Sequence, residues 1–79
     1  MLFNFVLIAV SYEQAVMALA ETTETFSAID LGPINTTLAS HPIHGPLMVI
    51  ENSAGKSVIA VLAERRDQFE NALNPTLTH

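Results

Sequence analysis

Two apolar runs, Leu47-Met48-Val49-Ile50 and Val58-Ile59-Ala60-Val61-Leu62, stand on either side of Glu51-Asn52-Ser53-Ala54-Gly55-Lys56-Ser57. A strand with one solvated face alternates apolar and polar residues, because successive side chains point to opposite faces of a sheet. Neither run alternates. Whatever sheet they build therefore has apolar side chains on both faces, and both faces need cover. The segment between them has turn composition, with Gly55 available for positive φ, and predicts a β-hairpin. Residues 2 to 10, LFNFVLIAV, are interrupted only by Asn4 and are too short for a typical helix. Their Phe, Val, Leu and Ile content predicts a further strand buried on both faces.

Helical signals follow the first and the last of these runs. Ser11 is an N-cap with Gln14 three residues on, the reciprocal pair that satisfies two early backbone N–H groups. A helix from about Tyr12 to Glu24 is expected, with Tyr12, Ala15, Val16, Leu19 and, if it runs on, Phe26 on the buried stripe. A second helix over Glu64 to Leu73 places Phe69, Ala72 and Leu73 on one side, and Asn74-Pro75 stops it. The tail Thr76-Leu77-Thr78-His79 reads as frayed or as a short last strand. Between the helices the pattern is weaker. Thr25 to Leu31 alternates as a short strand, Gly32-Pro33 is a turn, and Pro33 to Ser40 reads as either a short helix or an edge strand. His41-Pro42-Ile43-His44-Gly45-Pro46 reads as a loop.

The expected fold is a single compact α+β domain over residues 1–79. It has a small antiparallel or mixed sheet of three to four strands, with two helices on one face in β-α-(β)-β-β-α order. By analogy of architecture this is a ferredoxin-like sandwich.

Composition narrows the function classes. The chain has 79 residues, 3 Lys+Arg against 8 Asp+Glu and a net charge of −5. So short a domain buries only about 60% of the surface its unfolded chain exposes, and without Cys no disulfide supplements the core. Three basic residues do not match a run of phosphates, so nucleic acid is not an expected partner. No apolar run approaches the ~20 residues of a spanning helix, so a membrane is not expected either. Ala18-Leu19-Ala20 before Glu21 has the small-x-small form of a signal-peptidase site. No Lys or Arg precedes the apolar run, however, and the expectation is a cytoplasmic protein.

Few motifs carry chemistry. Ala54-Gly55-Lys56-Ser57 has the form of the end of a phosphate-binding loop. The full pattern needs Gly where Ile50 stands and a helix where Val58 to Leu62 reads as a strand, so the segment is a hairpin turn. His41 and His44, with His79 as a third nitrogen donor, have a metal-binding residue type. They sit on a loop between prolines, with no Cys and no neighbouring acid in the sequence. They are expected to be solvated loop histidines, with no metal and no cofactor; a sharper version makes the loop the lip of a site shared between subunits. Ser40, His41 and Asp30 contain the residue types of a hydrolase triad without any positional signature. Asn35-Thr36-Thr37 fits a glycosylation sequon that matters only in a secreted protein. No nucleophile, base and orienting group can be named together, and the chain is not expected to be an enzyme.

Function is then expected to follow from burial. Two short helices cover one sheet face, and the other carries Val, Ile and Leu, so copies are expected to associate into a homodimer or a larger closed oligomer. A non-catalytic binding protein is the expectation, in one of two forms. In the first it is a modulator or inhibitor, with the size and charge of small accessory or viral and phage proteins. It would present Glu13, Glu21, Glu24, Asp67 and Glu70 to a basic protein surface. In the second, inter-subunit pockets hold a small anionic ligand such as a nucleotide through Arg65, Arg66, Lys56, His41 and His44. The plain alternative for Arg66 is an ion pair with Glu70, one helical turn away.

Overall fold

The computed structural model describes residues 4–73. The chain runs β1 (Phe5–Val10), α1 (Tyr12–Ala20), β2 (Glu24–Leu31), β3 (Ile34–His41), β4 (Gly45–Asn52) and β5 (Ser57–Leu62). A 3₁₀ turn (Ala63–Arg65) then leads into α2 (Arg66–Leu73). The strands form one five-stranded sheet in the order β1-β5-β4-β3-β2, and every neighbouring pair is antiparallel. This corrects the expected three to four strands and the ferredoxin-like order: β2 to β5 form a continuous meander, and β1 returns beside β5. The predicted stop at Asn74-Pro75 and the tail lie outside the described residues.

The segment between Thr25 and Pro46, ambiguous in sequence, is a hairpin and a half. Leu31 pairs with Ile34 across Gly32-Pro33. Gly32 has φ +82°, as the first central residue of a two-residue II′ turn requires, and Pro33 needs no N–H there. Asp30 Oδ1 accepts from the Gly32 N–H at 2.9 Å. Pro33 to Ser40 is thus neither a helix nor an edge: β3 is flanked by β2 and β4. The next turn closes where His41 pairs with Gly45, whose φ of +75° also lies in the left-handed region. The predicted β4–β5 hairpin is present. Its turn uses Asn52, which accepts from Ala54 N–H at 3.0 Å, and Ser57, whose Oγ accepts from Asn52 N–H at 3.0 Å. Gly55 does not use positive φ, since only Gly32 and Gly45 do so among the described residues.

Register sorts the strand residues into two faces. Thr37↔Val49, Ala39↔Leu47, Leu47↔Val61 and Val49↔Ile59 lie under the helices. There Val10, Leu47, Val49, Ile59 and Val61 form the core with Ala15, Ala18 and Phe69. The predicted capping box starts α1: Gln14 N–H donates to Ser11 Oγ at 3.0 Å, and Ser11 N–H donates to Gln14 Oε1 at 2.9 Å. The helix stops at Ala20 and not at Glu24, so Phe26 belongs to β2. Its buried stripe is Ala15 and Ala18 with Leu19 beside them, while Tyr12 and Val16 are exposed. Two alanines bring the helix axis close to the sheet, which turns the larger Val16 outward. In α2, Phe69 is buried as expected, Leu73 is half-buried and Ala72 is exposed.

The opposite face has no helix. Leu7↔Ala60, Ala60↔Met48, Met48↔Leu38 and Leu38↔Ser27 form one row across all five strands. Ala9, Val58, Ile50, Thr36 and Ile29 form the next. Leu7 is 72% exposed and Ile29 53%. The only charge among the register-paired residues of this face is Glu24, at its corner opposite Ser40.

Candidate functional site

At the end of the sheet where β3 turns into β4, α1 and α2 do not close over the core. A cleft of about 280 Å³ remains between them. Helix α1 contributes Glu13, Gln14, Met17, Ala18 and Glu21, the turn contributes His41 and His44, and α2 contributes Phe69, Ala72 and Leu73. Among the described residues no lysine or arginine lines it.

His41 organises this end. It is the last residue of β3 on the helix-facing side and is 4% exposed. Its Nδ1 accepts from the backbone N–H groups of Ile43 at 3.1 Å and His44 at 3.2 Å, which folds the turn around the ring. A ring nitrogen that accepts carries no hydrogen in the neutral imidazole, so the hydrogen sits on Nε2. Nε2 is 3.0 Å from Glu21 Oε1 and donates to it. The pair thus joins the turn to the C-terminal end of α1.

His44 is 5% exposed and packs edge-on to Phe69, ring centroids 5.0 Å apart at 83°. The His41 ring lies 4.4 Å away on its other side. Nδ1 of His44 is buried without a hydrogen-bond partner among the described residues. Burial lowers its pKa from 6.5, the nearby His41 and Arg65 push the same way, and Glu21 opposes them. A neutral imidazole is the result at neutral pH. Arg65 stands behind the turn, where its guanidinium donates to Ile43 O at 2.7 Å and lies against Gly45.

These positions correct the picture of two solvated loop histidines: both are buried, and an acid distant in sequence contacts one of them. Among the described residues no cluster of three His, Asp or Glu side chains is arranged to hold a metal. His79 lies outside the described residues.

The anion-binding set does not converge. His41 and His44 share the cleft, but Arg65 is engaged behind it, Arg66 Nε pairs with Glu70 Oε1 at 3.4 Å, and Lys56 belongs to the β4–β5 turn at the far end of the sheet. The acidic set is divided as well. Glu13 and Glu21 line the cleft, Glu24 lies on the open sheet face, and Asp67 and Glu70 belong to α2. Ser40 and His41, as neighbours on a strand, point to opposite faces, and Asp30 holds the β2–β3 turn, so the triad residues are apart.

Part of this site had a signal in the sequence. Thr37, Ala39 and His41 are buried at every second position of β3, a period that places His41 inside once the segment is read as a strand. Nothing local marks Glu21 as its partner. Comparison with protein-family models, curated proteins and solved structures finds no match to this chain.

Proposed function

We propose that this chain is a non-catalytic binding protein of the cytoplasm that works as a homodimer, two copies packing open sheet face against open sheet face. The observation that carries the reading is the row Leu7, Ala60, Met48, Leu38 and its neighbours, an apolar face with a single charge at its corner. Five strands about 4.8 Å apart and about seven residues long at 3.4 Å each span roughly 550 Å² in projection. That is at the upper end of the ~300–600 Å² of the largest patch a monomer leaves bare, and side-chain relief brings it toward the ~800 Å² per partner of a stable interface.

Charge supports the same geometry. A net −5 protein repels its own copies wherever acids meet, and this face lets two copies approach with their acids outward. The cleft lies on the helix side and stays open in such a dimer. No helix among the described residues is long and apolar enough to cross a membrane.

Sedimentation velocity at about 10 to 100 µM, a range that brackets dimers of ordinary affinity, tests the proposal. The expected species is a dimer. The double variant Leu7→Asp, Met48→Asp is expected to sediment as a folded monomer with an unchanged circular dichroism spectrum. A wild-type monomer throughout that range overturns the reading.

A further inference from the structure

We propose that the free edge of β2 is a docking site for the β2 edge of a second copy: the two strands pair antiparallel about a two-fold axis at Ile29 and join two sheets into one. This contact uses the edge of the sheet and not its open face, so it does not depend on face-to-face packing.

The edge is unprotected. β2 has β3 on one side and no strand among the described residues on the other. A strand left in this way presents unpaired backbone N–H and C=O groups that template a further strand, and proteins blunt such edges with Lys, Pro, a bulge or a covering element. Glu24–Leu31 contains no Lys and no Pro. Its one irregularity lies between Thr25 and Ser27, which leaves Ser27 to Leu31 regular. The helices pack on β3, β4 and β5, and all eight residues of β2 are exposed. A neighbouring sheet can come alongside without meeting the helix layer.

The β2–β3 turn decides which backbone groups are free. Leu31↔Ile34 closes a two-residue hairpin, and the closing pair of such a turn is hydrogen-bonded. Bonded and non-bonded pairs alternate along an antiparallel ladder. Leu31, Ile29 and Ser27 therefore turn their N–H and C=O toward β3, while Ala28 and Asp30 turn theirs outward.

Those outward groups select the register of self-pairing. Centred on Asp30, it sets two carboxylates directly opposite each other, which is destabilising. Centred on Ala28, it carries Asp30 onto the irregular stretch at Phe26. Centred on Ile29, Ala28 of each copy faces Asp30 of the other, and about four backbone hydrogen bonds use every outward group of the regular segment. On the open-face side Ile29 then meets Ile29 of the second copy in a non-hydrogen-bonded pair, and Ser27 meets Leu31. A two-fold contact of this kind closes on itself. One strand of contact is small beside the ~800 Å² per partner of a stable interface, so the association is transient and suited to covalent trapping.

The chain has no Cys, and single cysteines can therefore report the register. A non-hydrogen-bonded pair has Cα atoms about 4.5 Å apart, within disulfide reach. Two Leu31 or two Ser27 residues are offset along the strands by about four residues, roughly 14 Å, which is beyond it. The test follows interchain disulfide formation in the full chain at about 200 µM, with oxidised glutathione as the oxidant, itself reduced to two thiols by exchange. Ile29→Cys is expected to cross-link at least about tenfold faster than Leu31→Cys or Ser27→Cys alone, because only its thiols are held together. An equal mixture of the last two variants should give the mixed dimer at a rate close to that of Ile29→Cys. Repeating the series with Leu7→Asp and Met48→Asp also present separates edge from face, and the same ranking is expected whether or not the wild type packs face to face. If that background does not fold, the ranking without it decides. Equal rates for the three single variants, or a mixture no faster than its components, overturns the proposal.

Discussion

His41 and Glu21 lie 20 residues apart in the chain, yet Nε2 of the first and Oε1 of the second are 3.0 Å apart, while the other ring nitrogen accepts two backbone amides of its own turn. One side chain therefore closes the β3–β4 hairpin and fastens it to α1. The two roles are separable by substitution, because the amides bind Nδ1 and the carboxylate binds Nε2.

His41→Ala leaves the Ile43 and His44 amides without their acceptor and is expected to cost about 1–3 kcal/mol. Asn places a carbonyl oxygen near the Nδ1 position and caps such turns itself, so His41→Asn should recover most of that loss. Glu21→Ala should cost less than about 1 kcal/mol, since a hydrogen bond to a carboxylate that is largely exposed is worth little. Urea unfolding of the three variants checks the order. Equal losses for His41→Asn and His41→Ala would mean that the turn does not depend on Nδ1.

Acid should weaken the fold through His44. Burial, then His41, lowers its pKa below 6.5 in the folded state, with Arg65 adding to this and Glu21 opposing it. The unfolded chain then binds the proton more readily than the native one. Stability contributed by the neutral ring is present above pH 6.5 and is lost as pH falls through the depressed folded value. The informative quantity is a difference between wild type and a variant without the ring. Melting temperatures of wild type and His44→Gln at pH 7.5 and 5.5 should show the smaller acid-induced drop in the variant.

The two left-handed glycines should differ in sensitivity. Gly32 at φ +82° has open space where a Cβ would sit, whereas at Gly45, φ +75°, a Cβ would meet Arg65 Nε at 3.4 Å. Gly32→Ala is expected to cost about 1–2 kcal/mol from backbone strain alone. Gly45→Ala should cost at least as much, because its Cβ would come into contact with the Arg65 side chain, which is bonded to Ile43 O. Thermal denaturation of the two variants gives the comparison, and Gly45→Ala with Arg65→Ala should show non-additivity.

Neighbouring residues of β5 and β4 separate the faces. Val61 is fully buried under the helices, so Val61→Asp places an unpaired carboxylate in the core and is expected to abolish the cooperative transition. Met48, across the sheet plane, should accept Asp with the fold retained and the dimer lost. Circular dichroism with sedimentation distinguishes the two outcomes. A folded Val61→Asp protein would contradict the assignment of faces.

Local chemistry was sufficient for several elements. Ser11 and Gln14 specify a capping box through short-range bonds, so the start of α1 is legible from four residues. The β4–β5 hairpin is equally legible, because apolar runs bracket a turn rich in Asn, Ser and Gly. Gly32-Pro33 marks a turn, but its meaning depends on what pairs across it. Pro33 to Ser40 has no strong period of its own, and Thr-rich segments become strands when partners exist on both sides. β2 and β4 supply those partners, which is why a segment read as helix or edge strand is a central one.

The site shows the same division. The chain by itself determined that its apolar residues exceed what two short helices can cover, and that no run of them is long enough for a membrane helix. Both follow from counting side chains and from the two-residue period of a strand. Only the tertiary structure decided that Glu21 meets His41, that His44 is buried against Phe69 and that the basic residues are scattered. Those contacts join α1, the β3–β4 turn and α2, and they depend on how far each helix runs and which way it is turned. Val16 outward and Ala15 inward is a packing decision: the smaller residue brings α1 down onto the sheet, and its end then falls beside the turn.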